Sequence, residues 1–395
     1  MSSYPTVRLA DAPITIIDGD KSPNYPKTTE FLKQGECLFL NSNNINENKL
    51  VLHNVNYISK DKYNAISKGK LEQDDVILTI GGSKLGNVAL YTLHNQKAII
   101  NAQMLLLRVD KSALDPDFLY FQLIAEEFQS NIQRLITGSA QPQLSIKDLK
   151  EIHILLPPMR IQRQIVNICK SFQNKVDSCI HQNEKLHELI IALFQKWFLS
   201  KTKEWKIACF GDIVDEITEK VDSVKTLANT YAVLSPVSSG NLVPSDEYSN
   251  KQAFNNDITK YKVLHRYDFA YNPARVNMGS IGMLEKEING CVSPIYIAFR
   301  PKPNWQYFIS LMLKQTHIQK AIEVYCSGSV RQVLRFEDFC RIEFYLPPIE
   351  LVKQFNAVYD SIRIKHNHNV QMQNELNRLI ELAFPKLLSG NIALN

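Results

Sequence analysis

The stretch TGSAQPQLSIKDLKEIHILLPP (137–158) returns later in the chain as CSGSVRQVLRFEDFCRIEFYLPP (326–348). Equivalent positions lie 190 residues apart, so that Gly138 corresponds to Gly328 and each stretch ends in Leu-Pro-Pro. Two copies of one unit can hold two similar targets, or one target at two places. The duplication therefore favours recognition of a bipartite target over a single catalytic pocket.

The length of 395 residues allows roughly two to three domains, each able to bury its own core. An apolar fraction of 45% is ordinary for a globular protein, and the apolar runs are too short to cross a bilayer. The N-terminal residues lack the pattern of a signal peptide, and the seven cysteines form no CxxC pair. We therefore expect a cytoplasmic protein with no membrane segment, no disulfide framework and no structural zinc.

The net charge of +5 is spread along the chain. Residues 1–156 carry 16 Lys and Arg against 17 Asp and Glu, so this part has no excess of positive charge. Composition alone does not indicate nucleic acid. A nucleic-acid ligand would require the positive side chains to gather on one face.

Four segments are predicted from the alternation of turn-rich and uninterrupted sequence: globular at 1–156, helical at 157–200, globular at 201–346 and helical at 347–395. Each globular segment ends at a Leu-Pro-Pro, where proline stops a strand and suits the start of the next helix.

Local patterns predict the elements of the globular segments. Short apolar runs predict strands within 74–80, 98–109 and 151–158, with a loop at 81–87. A helix is predicted over 115–135, and its equivalent in the second segment over 304–324.

The two globular segments also share isolated residues at a nearly constant offset. Asp268 lies 193 positions after Asp75, and Arg300 lies 192 positions after Arg108. The small drift of the offset indicates a few loop insertions within one shared plan.

Both helical segments carry apolar residues at heptad spacing, which is typical of a coiled-coil seam. Residues 159–199 contain no Gly or Pro, while Pro385 is expected to interrupt the second helix and Gly390 to cap it. The simplest packing is an antiparallel pair, which relates the two globular segments by a pseudo-two-fold axis. The seam columns are occupied by Ile165, Phe172, Cys179, Leu186 and Leu193 in the first helix, and by Phe355, Ile362, Asn369, Leu376 and Ala383 in the second.

No motif for catalysis is present. The chain lacks the GxxxxGK[ST] phosphate loop, the GxGxxG fingerprint, HExxH and GxSxG. The tetrapeptide YNPA (271–274) only partly matches the Asn-Pro-Pro-aromatic motif of adenine methyltransferases, and no glycine-rich cofactor loop precedes it.

The chain as a whole resembles the specificity subunit of type I restriction–modification systems. The resemblance rests on the duplicated G-S-x(4)-L … L-P-P, the Gln six residues after the last proline, the long helix after each copy and the ending KLLSGNIAL. WKIACFGDIVDEI (205–217) is similar to the start of a target-recognition domain in that family. Its first-half counterpart (7–26) departs from the pattern, because it lacks the Trp and Gly of the WxxxxxG opening.

The resemblance implies an α+β fold in which two similar α/β target-recognition domains are separated by two long helices packed as an antiparallel coiled coil. It implies that each domain reads half of an asymmetric, gapped sequence in double-stranded DNA, and that the helices set the gap. Two modification subunits, which bind S-adenosylmethionine and methylate adenine, would dock on this non-catalytic chain. Restriction subunits would add ATP- and Mg-dependent cleavage.

Base readout favours Arg or Lys on guanine and Asn or Gln on adenine, while Lys, Arg and Ser suit phosphates. These residue types, placed on expected loops, give the candidate DNA contacts. They are Lys60, Lys62, Lys84, Arg134, Ser139, Gln141 and Gln143 in the first segment, and Arg275, Asn277, Ser329, Arg331, Gln332 and Arg335 in the second.

The end of the first helix carries more aromatic surface than a two-helix seam needs. Phe194, Trp197 and Phe198 are therefore expected to meet a partner subunit or the neighbouring domain. Two other functions stay open at this point. One is a duplicated coiled-coil protein scaffold without DNA binding, and the other is a fused methyltransferase or nuclease with a hidden site.

Overall fold

A computed structural model gives the architecture. The residues described are 4–136, 142–200, 205–221, 231–238, 240–245, 258–326 and 333–388. The chain divides into two compact units, unit 1 being residues 1–180 with 370–395, and unit 2 being residues 181–369. Each unit therefore combines a globular part with a segment of both long helices. The linear domain boundaries drawn from the sequence stay predictions.

The elements of unit 1 are short strands and helices followed by one long helix. The strands are β1 Thr6–Arg8, β2 Ile14–Asp18, β3 Cys37–Leu40, β4 Ile45–Asn46, β5 Lys49–Leu50, β6 Asn56–Ile58, β7 Val76–Thr79, β8 Val88–Leu90, β9 Lys97–Ile100, β10 Met104–Val109 and β11 His153–Leu155. The helices are α1 Lys60–Ala65, α2 Pro116–Ile124, α3 Glu126–Leu135, α4 Ile146–Glu151 and α5 Met159–Phe194, which continues as a π-helical turn Gln195–Leu199. Only the residues of α5 up to 180 belong to unit 1, and the remainder belongs to unit 2.

The main sheet of unit 1 has the antiparallel order β2-β10-β7-β8. Along β10 successive side chains point to opposite faces, so Leu105 and Leu107 enter one apolar cluster while Met104 and Leu106 enter another. A strand buried on both faces reads as a continuous apolar run, which explains the sequence MLLL. A second sheet has the order β6-β3-β9, with β3 and β9 parallel, and β1 pairs with β11.

Two predicted elements of unit 1 are each divided in the structure. The strand expected over 98–109 is two strands, β9 and β10, separated by a turn. The helix expected over 115–135 breaks at Ala125, whose extended backbone (φ −65°, ψ 146°) separates α2 from α3. Asp115 caps α2 as expected, accepting the backbone N–H of Asp117 at 2.9 Å.

Unit 2 contains ten strands and parts of the two long helices in its described residues. The strands are β12 Ile207–Cys209, β13 Val214–Glu216, β14 Ala232–Pro236, β15 Leu242–Pro244, β16 Lys262–Leu264, β17 Phe269–Tyr271, β18 Ile281–Met283, β19 Gly290–Val292, β20 Ile297–Pro301 and β21 Glu343–Tyr345. The helices are α6 Gln306–Met312, α7 Thr316–Cys326, α8 Phe336–Cys340 and α9 Ile349–Leu388. The predicted helix over 304–324 is thus two helices, α6 and α7.

The main sheet of unit 2 has the antiparallel order β13-β20-β17-β18. β12 pairs with β21, and the second sheet contains a parallel pair, β14 with β19. By position in the chain, these pairings match those of β2-β10-β7-β8, β1 with β11 and β3 with β9 in unit 1. The globular parts of the two units therefore follow the same strand plan.

An ion pair recurs at the same place in both main sheets. Arg108 makes two hydrogen bonds to Asp75, each of 2.8 Å, and Arg300 makes two of 2.8 Å to Asp268. Both carboxylates are buried at 1% exposure. The residues that correspond in sequence, Asp75 with Asp268 and Arg108 with Arg300, therefore form the same ion pair in their own units.

The long helices contact each other in an antiparallel sense within each unit. In unit 1, the Cys179 Sγ lies 3.7 Å from the Met372 Sδ, while Phe384 packs on the globular core near Phe121. In unit 2, Asn369 donates to the Asn183 Oδ1 at 2.9 Å, and Phe194 packs on Phe355. α9 continues through Pro385 to Leu388, so the expected interruption at Pro385 is wrong; the expected cap at Gly390 lies outside the described residues.

Polar side chains tie the long helices to the globular parts. In unit 1, the fully buried Gln162 donates to the Ala113 carbonyl at 3.0 Å and accepts the Asp115 N–H at 2.8 Å. In unit 2, the Tyr307 hydroxyl donates to Asp360 at 2.6 Å, and burial together with this bond raises the pKa of Tyr307. Among the described residues, no helix combines the length and apolar character that crossing a membrane requires.

Candidate nucleic-acid interface

The candidate surface of unit 1 is built around the loop at residues 80–87 that joins β7 to β8. Its backbone is tied to the strand-like segment 142–144: the Gly82 N–H donates to the Pro142 carbonyl at 3.2 Å, and the Leu144 N–H to the Ile80 carbonyl at 2.9 Å. Leu144 is buried and anchors this segment on the core. Two stretches 60 residues apart in sequence are thereby brought side by side.

Lys84 and Gln143 are the predicted contacts that this arrangement gathers in unit 1. The Lys84 Nζ donates to the Asn46 Oδ1 at 3.0 Å, and Gln143 is exposed beside Gly81, with which it forms a β-bridge. Asn46 belongs to a tight hairpin whose two central residues, Glu47 and Asn48, have positive φ, as a type I′ turn requires. The hairpin is a part of this surface that the sequence did not single out.

Helix α3 is hydrogen-bonded to the same loop. The Gln129 Nε2 donates to the Gly86 carbonyl at 2.9 Å, and Gly86 has φ +91°. Glycine is favoured here by its left-handed backbone angle. A Cβ at position 86 would lie 2.8 Å from the Gln129 Oε1, so a larger residue would also have to displace the end of that side chain. Arg134, near the end of the same helix, is exposed.

The candidate surface of unit 2 repeats this construction around residues 272–280, which join β17 to β18. The Leu334 N–H donates to the Pro273 carbonyl at 3.0 Å, at the positions that correspond to Leu144 and Ile80 in unit 1. Leu334 is fully buried. The loop that carries Arg275 and Asn277 therefore lies against the segment that carries Arg335.

The predicted contacts of unit 2 present positive charge on this surface. Arg275 and Arg335 are exposed, and Asn277 is half-buried. Arg335 immediately precedes α8 and accepts the Phe339 N–H on its carbonyl at 3.0 Å, so the start of the helix fixes its backbone. Arginine on an ordered loop is suited to guanine edges or phosphates.

Lys60 and Lys62 occupy a different element, α1. Lys60 is exposed, whereas the Lys62 Nζ makes an ion pair of 2.9 Å with Glu30. The backbone N–H of Lys27 and this ammonium group lower the pKa of Glu30. Because its charge is already paired, Lys62 is the less available of the two for a phosphate.

Five predicted contacts fall outside the described residues: Ser139, Gln141, Ser329, Arg331 and Gln332. They adjoin the anchored segments that precede Leu144 and Leu334. Their roles stay predictions.

The aromatic residues at the end of the first helix were expected to meet a partner subunit or the neighbouring domain. Phe194 and Phe198 are each 1% exposed and belong to the apolar core of unit 2, where both pack on Phe308. Both residues therefore meet the neighbouring domain, one of the two expected alternatives, and their burial leaves almost no surface for a partner subunit. Trp197 is half-buried against Phe355 and keeps some accessible surface.

Within the described part of the chain, no group of three or more His, Cys, Asp or Glu side chains is placed to hold a metal ion. One cavity of about 680 Å³ is lined by Tyr231, His265 and Glu287, among others.

Comparisons with known proteins show what the chain as a whole is similar to. Residues 14–188 match the family described as the type I restriction modification DNA specificity domain. A candidate type I restriction enzyme MjaX specificity subunit from Methanocaldococcus jannaschii is 25% identical over 381 residues, which cover 88% of this chain and 85% of that protein. The type I restriction enzyme HindI specificity subunit from Haemophilus influenzae is 20% identical, with 95% of this chain and 98% of that protein covered.

Solved structures agree in fold. The S subunit of a type I restriction–modification system from M. genitalium matches with a TM-score of 0.59 at 15% identity, over 100% of this chain and 97% of that one. A chain from a structural study of complex assembly and conformational transition of the type I R-M system matches with a TM-score of 0.54 at 16% identity, over 98% of both chains.

Proposed function

We infer, from the place of this chain in the family of type I restriction–modification specificity subunits, that it reads a two-part DNA sequence through one loop surface on each unit. The proposal is supported above all by the matched anchoring of Leu144 and Leu334. This anchoring places half-buried Lys84 beside exposed Gln143 in unit 1, and exposed Arg275 beside exposed Arg335 in unit 2.

The proposed DNA contacts are local to each unit. Lys84, Gln143 and Arg134 belong to unit 1, and Arg275, Asn277 and Arg335 to unit 2. Because the residues differ while the framework is the same, the two half-sites should differ in sequence. A protein with two equivalent DNA-binding units contacts the same face of a duplex at half-sites about one helical turn apart, roughly 34 Å.

The long helices are proposed to act as the spacer, packed as an antiparallel coiled coil. Their antiparallel contacts at Cys179–Met372 and at Asn183–Asn369 support this role. Inserting residues into both helices should change the gap between half-sites without changing the bases read.

The partners follow from the same proposal. Two modification subunits would supply S-adenosylmethionine and methylate adenine, and restriction subunits would supply ATP- and Mg-dependent cleavage. This chain would contribute recognition and assembly without catalysing either reaction. A cytoplasmic location is part of the proposal.

Mapping of methylated adenines in host DNA, with and without this chain, tests the proposal directly. A gapped, two-part methylated motif should disappear on deletion. Survival of every methylated motif would contradict the proposal, and so would loss of a motif that has only one part. Binding of S-adenosylmethionine by the isolated chain would favour the fused-enzyme alternative.

Arg275→Ala tests the assignment of surfaces. The reconstituted modification complex should lose about 1–3 kcal/mol of discrimination at one base pair of a single half-site. Ile295→Ala is the matched control, because Ile295 is 67% exposed in the same unit and lies outside the loop. Equal loss in both half-sites, or none, would contradict the placement of Arg275.

A further inference from the structure

The loop at residues 272–280 is a rigid projection. At its base the Asn272 N–H donates to the Ser280 carbonyl at 3.0 Å, and the Ser280 Oγ donates to the Pro236 carbonyl at 2.7 Å in a buried position. Val276 is fully buried beneath the loop. The side chains that remain exposed are therefore presented on a fixed backbone.

Met278 is one of these exposed side chains. It ends the single 3₁₀ turn Val276–Met278 and is 59% exposed. Its N–H donates to the Arg275 carbonyl at 3.0 Å. The backbone of Met278 is thus tied to that of Arg275, three residues earlier in the same loop.

The backbone on either side fixes this position. Gly279 has φ +82°, and a Cβ there would lie 2.8 Å from the Ser238 carbonyl oxygen. A side chain cannot replace that glycine without displacing the neighbouring backbone. The loop therefore holds Met278 between a buried valine and an obligatory glycine.

Unit 1 offers an internal comparison. Leu85 corresponds to Met278 at the offset of 193 that relates the two sheets, and it likewise precedes a left-handed glycine, Gly86. Leu85 packs against the apolar core of unit 1, whereas Met278 is absent from the core of unit 2. The same position is used for packing in one unit and left exposed in the other.

Single exposed apolar side chains are common, so exposure alone does not indicate a contact with DNA. The indication comes from the position of Met278 in the loop that carries Arg275 and Asn277. Met278 lies three residues from Arg275 and next to Asn277 in one hydrogen-bonded loop, and arginine and asparagine are residue types that read guanine and adenine in the major groove. The apolar group that bases present in that groove is the thymine 5-methyl. A flexible thioether side chain adapts to such a contact.

We propose that Met278 contacts the 5-methyl group of a thymine in the half-site read by unit 2. The proposal rests on the proposed DNA-reading function and names one base that this surface recognises. It assigns Met278 a role in specificity, and it predicts that the corresponding position of unit 1 takes no part in readout.

Thymine-to-uracil replacement tests the contact. Each thymine of the mapped duplex is replaced in turn by deoxyuridine, which lacks the methyl group, and binding of the reconstituted modification complex is followed by fluorescence anisotropy. One replacement, in one half-site, should lower the affinity about four-fold, the effect of one buried methyl group at ~0.8 kcal/mol. Met278→Ala should weaken binding to the natural duplex and abolish the difference between thymine and uracil at that position.

Matched variants separate the outcomes. Ile295→Ala should discriminate thymine from uracil as the wild type does, and Met278→Leu should retain most of the discrimination. If the wild-type complex binds the site but shows no such difference, or if Met278→Ala keeps it, the thymine contact is refuted while the proposed function stands. If the wild-type complex does not bind the mapped duplex, the proposed function itself fails.

Discussion

Arg300→Ala should destabilise unit 2 far more than Asp268→Ala, although the two substitutions break the same ion pair. The Asp268 side chain is 2% exposed, whereas the Arg300 side chain is 45% exposed. Removing the arginine leaves a carboxylate with almost no access to water. Removing the aspartate leaves a guanidinium that water can reach.

The magnitudes follow from that difference. Stranding a buried charge costs about 3–5 kcal/mol, so we expect Arg300→Ala to lower the unfolding free energy by about 4 kcal/mol. Asp268→Ala loses charge-assisted hydrogen bonds and the acceptor of the His265 N–H, for about 2 kcal/mol. The double variant should be more stable than Arg300→Ala alone, because it strands no charge.

Tryptophan fluorescence during urea unfolding measures this effect in unit 2 selectively. Trp197, Trp205 and Trp305 are the three tryptophans of the chain, and all lie within residues 181–369. Trp305 is buried in the core of that unit. The emission change therefore reports on the part of the chain that contains the ion pair.

Glu287→Ala is the control. Glu287 pairs with Arg266 at 3.6 Å, but its side chain is 87% exposed, so its removal should change the unfolding free energy by less than about 1 kcal/mol. The reasoning would be refuted if Arg300→Ala were no more destabilising than Asp268→Ala, or if the double variant were less stable than both.

Three further predictions concern the helices and the thiols. Asn369→Leu removes hydrogen bonds to Gln182 and Asn183 at a position 1% exposed, and should raise the unfolding free energy by about 1 kcal/mol. Because a polar seam residue fixes the register of the two helices, the substitution should also broaden the distribution of distances between spin labels at positions 184 and 365. An unchanged, narrow distribution would count against a register role for Asn369. Trp197→Glu should lower the thermal midpoint of the isolated chain by several degrees, because the indole packs on Phe355; a normal midpoint with weakened assembly would instead restore the docking role. At pH 8 an aromatic disulfide reagent should label at most one of the seven thiols quickly, the partly exposed Cys209, and all seven in denaturant. Burial raises the pKa of Cys340 to about 11 and that of Cys169 to about 12, so rapid native labelling of Cys169 would contradict its placement.

Local periodicity was a good guide to where elements lie, because it depends on neighbours in sequence. The apolar runs at 74–80 and 151–158 contain β7 and β11, and the stretch without Gly or Pro contains α5. Boundaries inside longer patterns were less predictable. The residues around Ala125 contain no sequence signal that predicts its extended backbone. Pro385 lies within α9, although proline ordinarily disfavours a helix interior.

The candidate surface divides in the same way. Residue type and loop position pointed to Lys84, Arg275 and Arg335 as contacts. Within each unit, the loop and the second segment are held together by the hydrogen bond of Leu144 or Leu334 to a carbonyl about 60 residues away, and no local sequence pattern encodes these bonds. Met278 was missed because a methionine in a loop carries no signal until its exposure and its backbone hydrogen bond to Arg275 are known.

The sequence by itself determined the two-copy plan, the long helices and the family resemblance, because duplication and heptad spacing are written along the chain. Only the tertiary structure decided which faces meet. It buried Phe194 and Phe198 in a core, paired Asp75 with Arg108 and Asp268 with Arg300, and left Met278 exposed. The physical reason is that burial and ion pairing depend on contacts between residues far apart in sequence, whereas secondary structure depends mainly on those nearby.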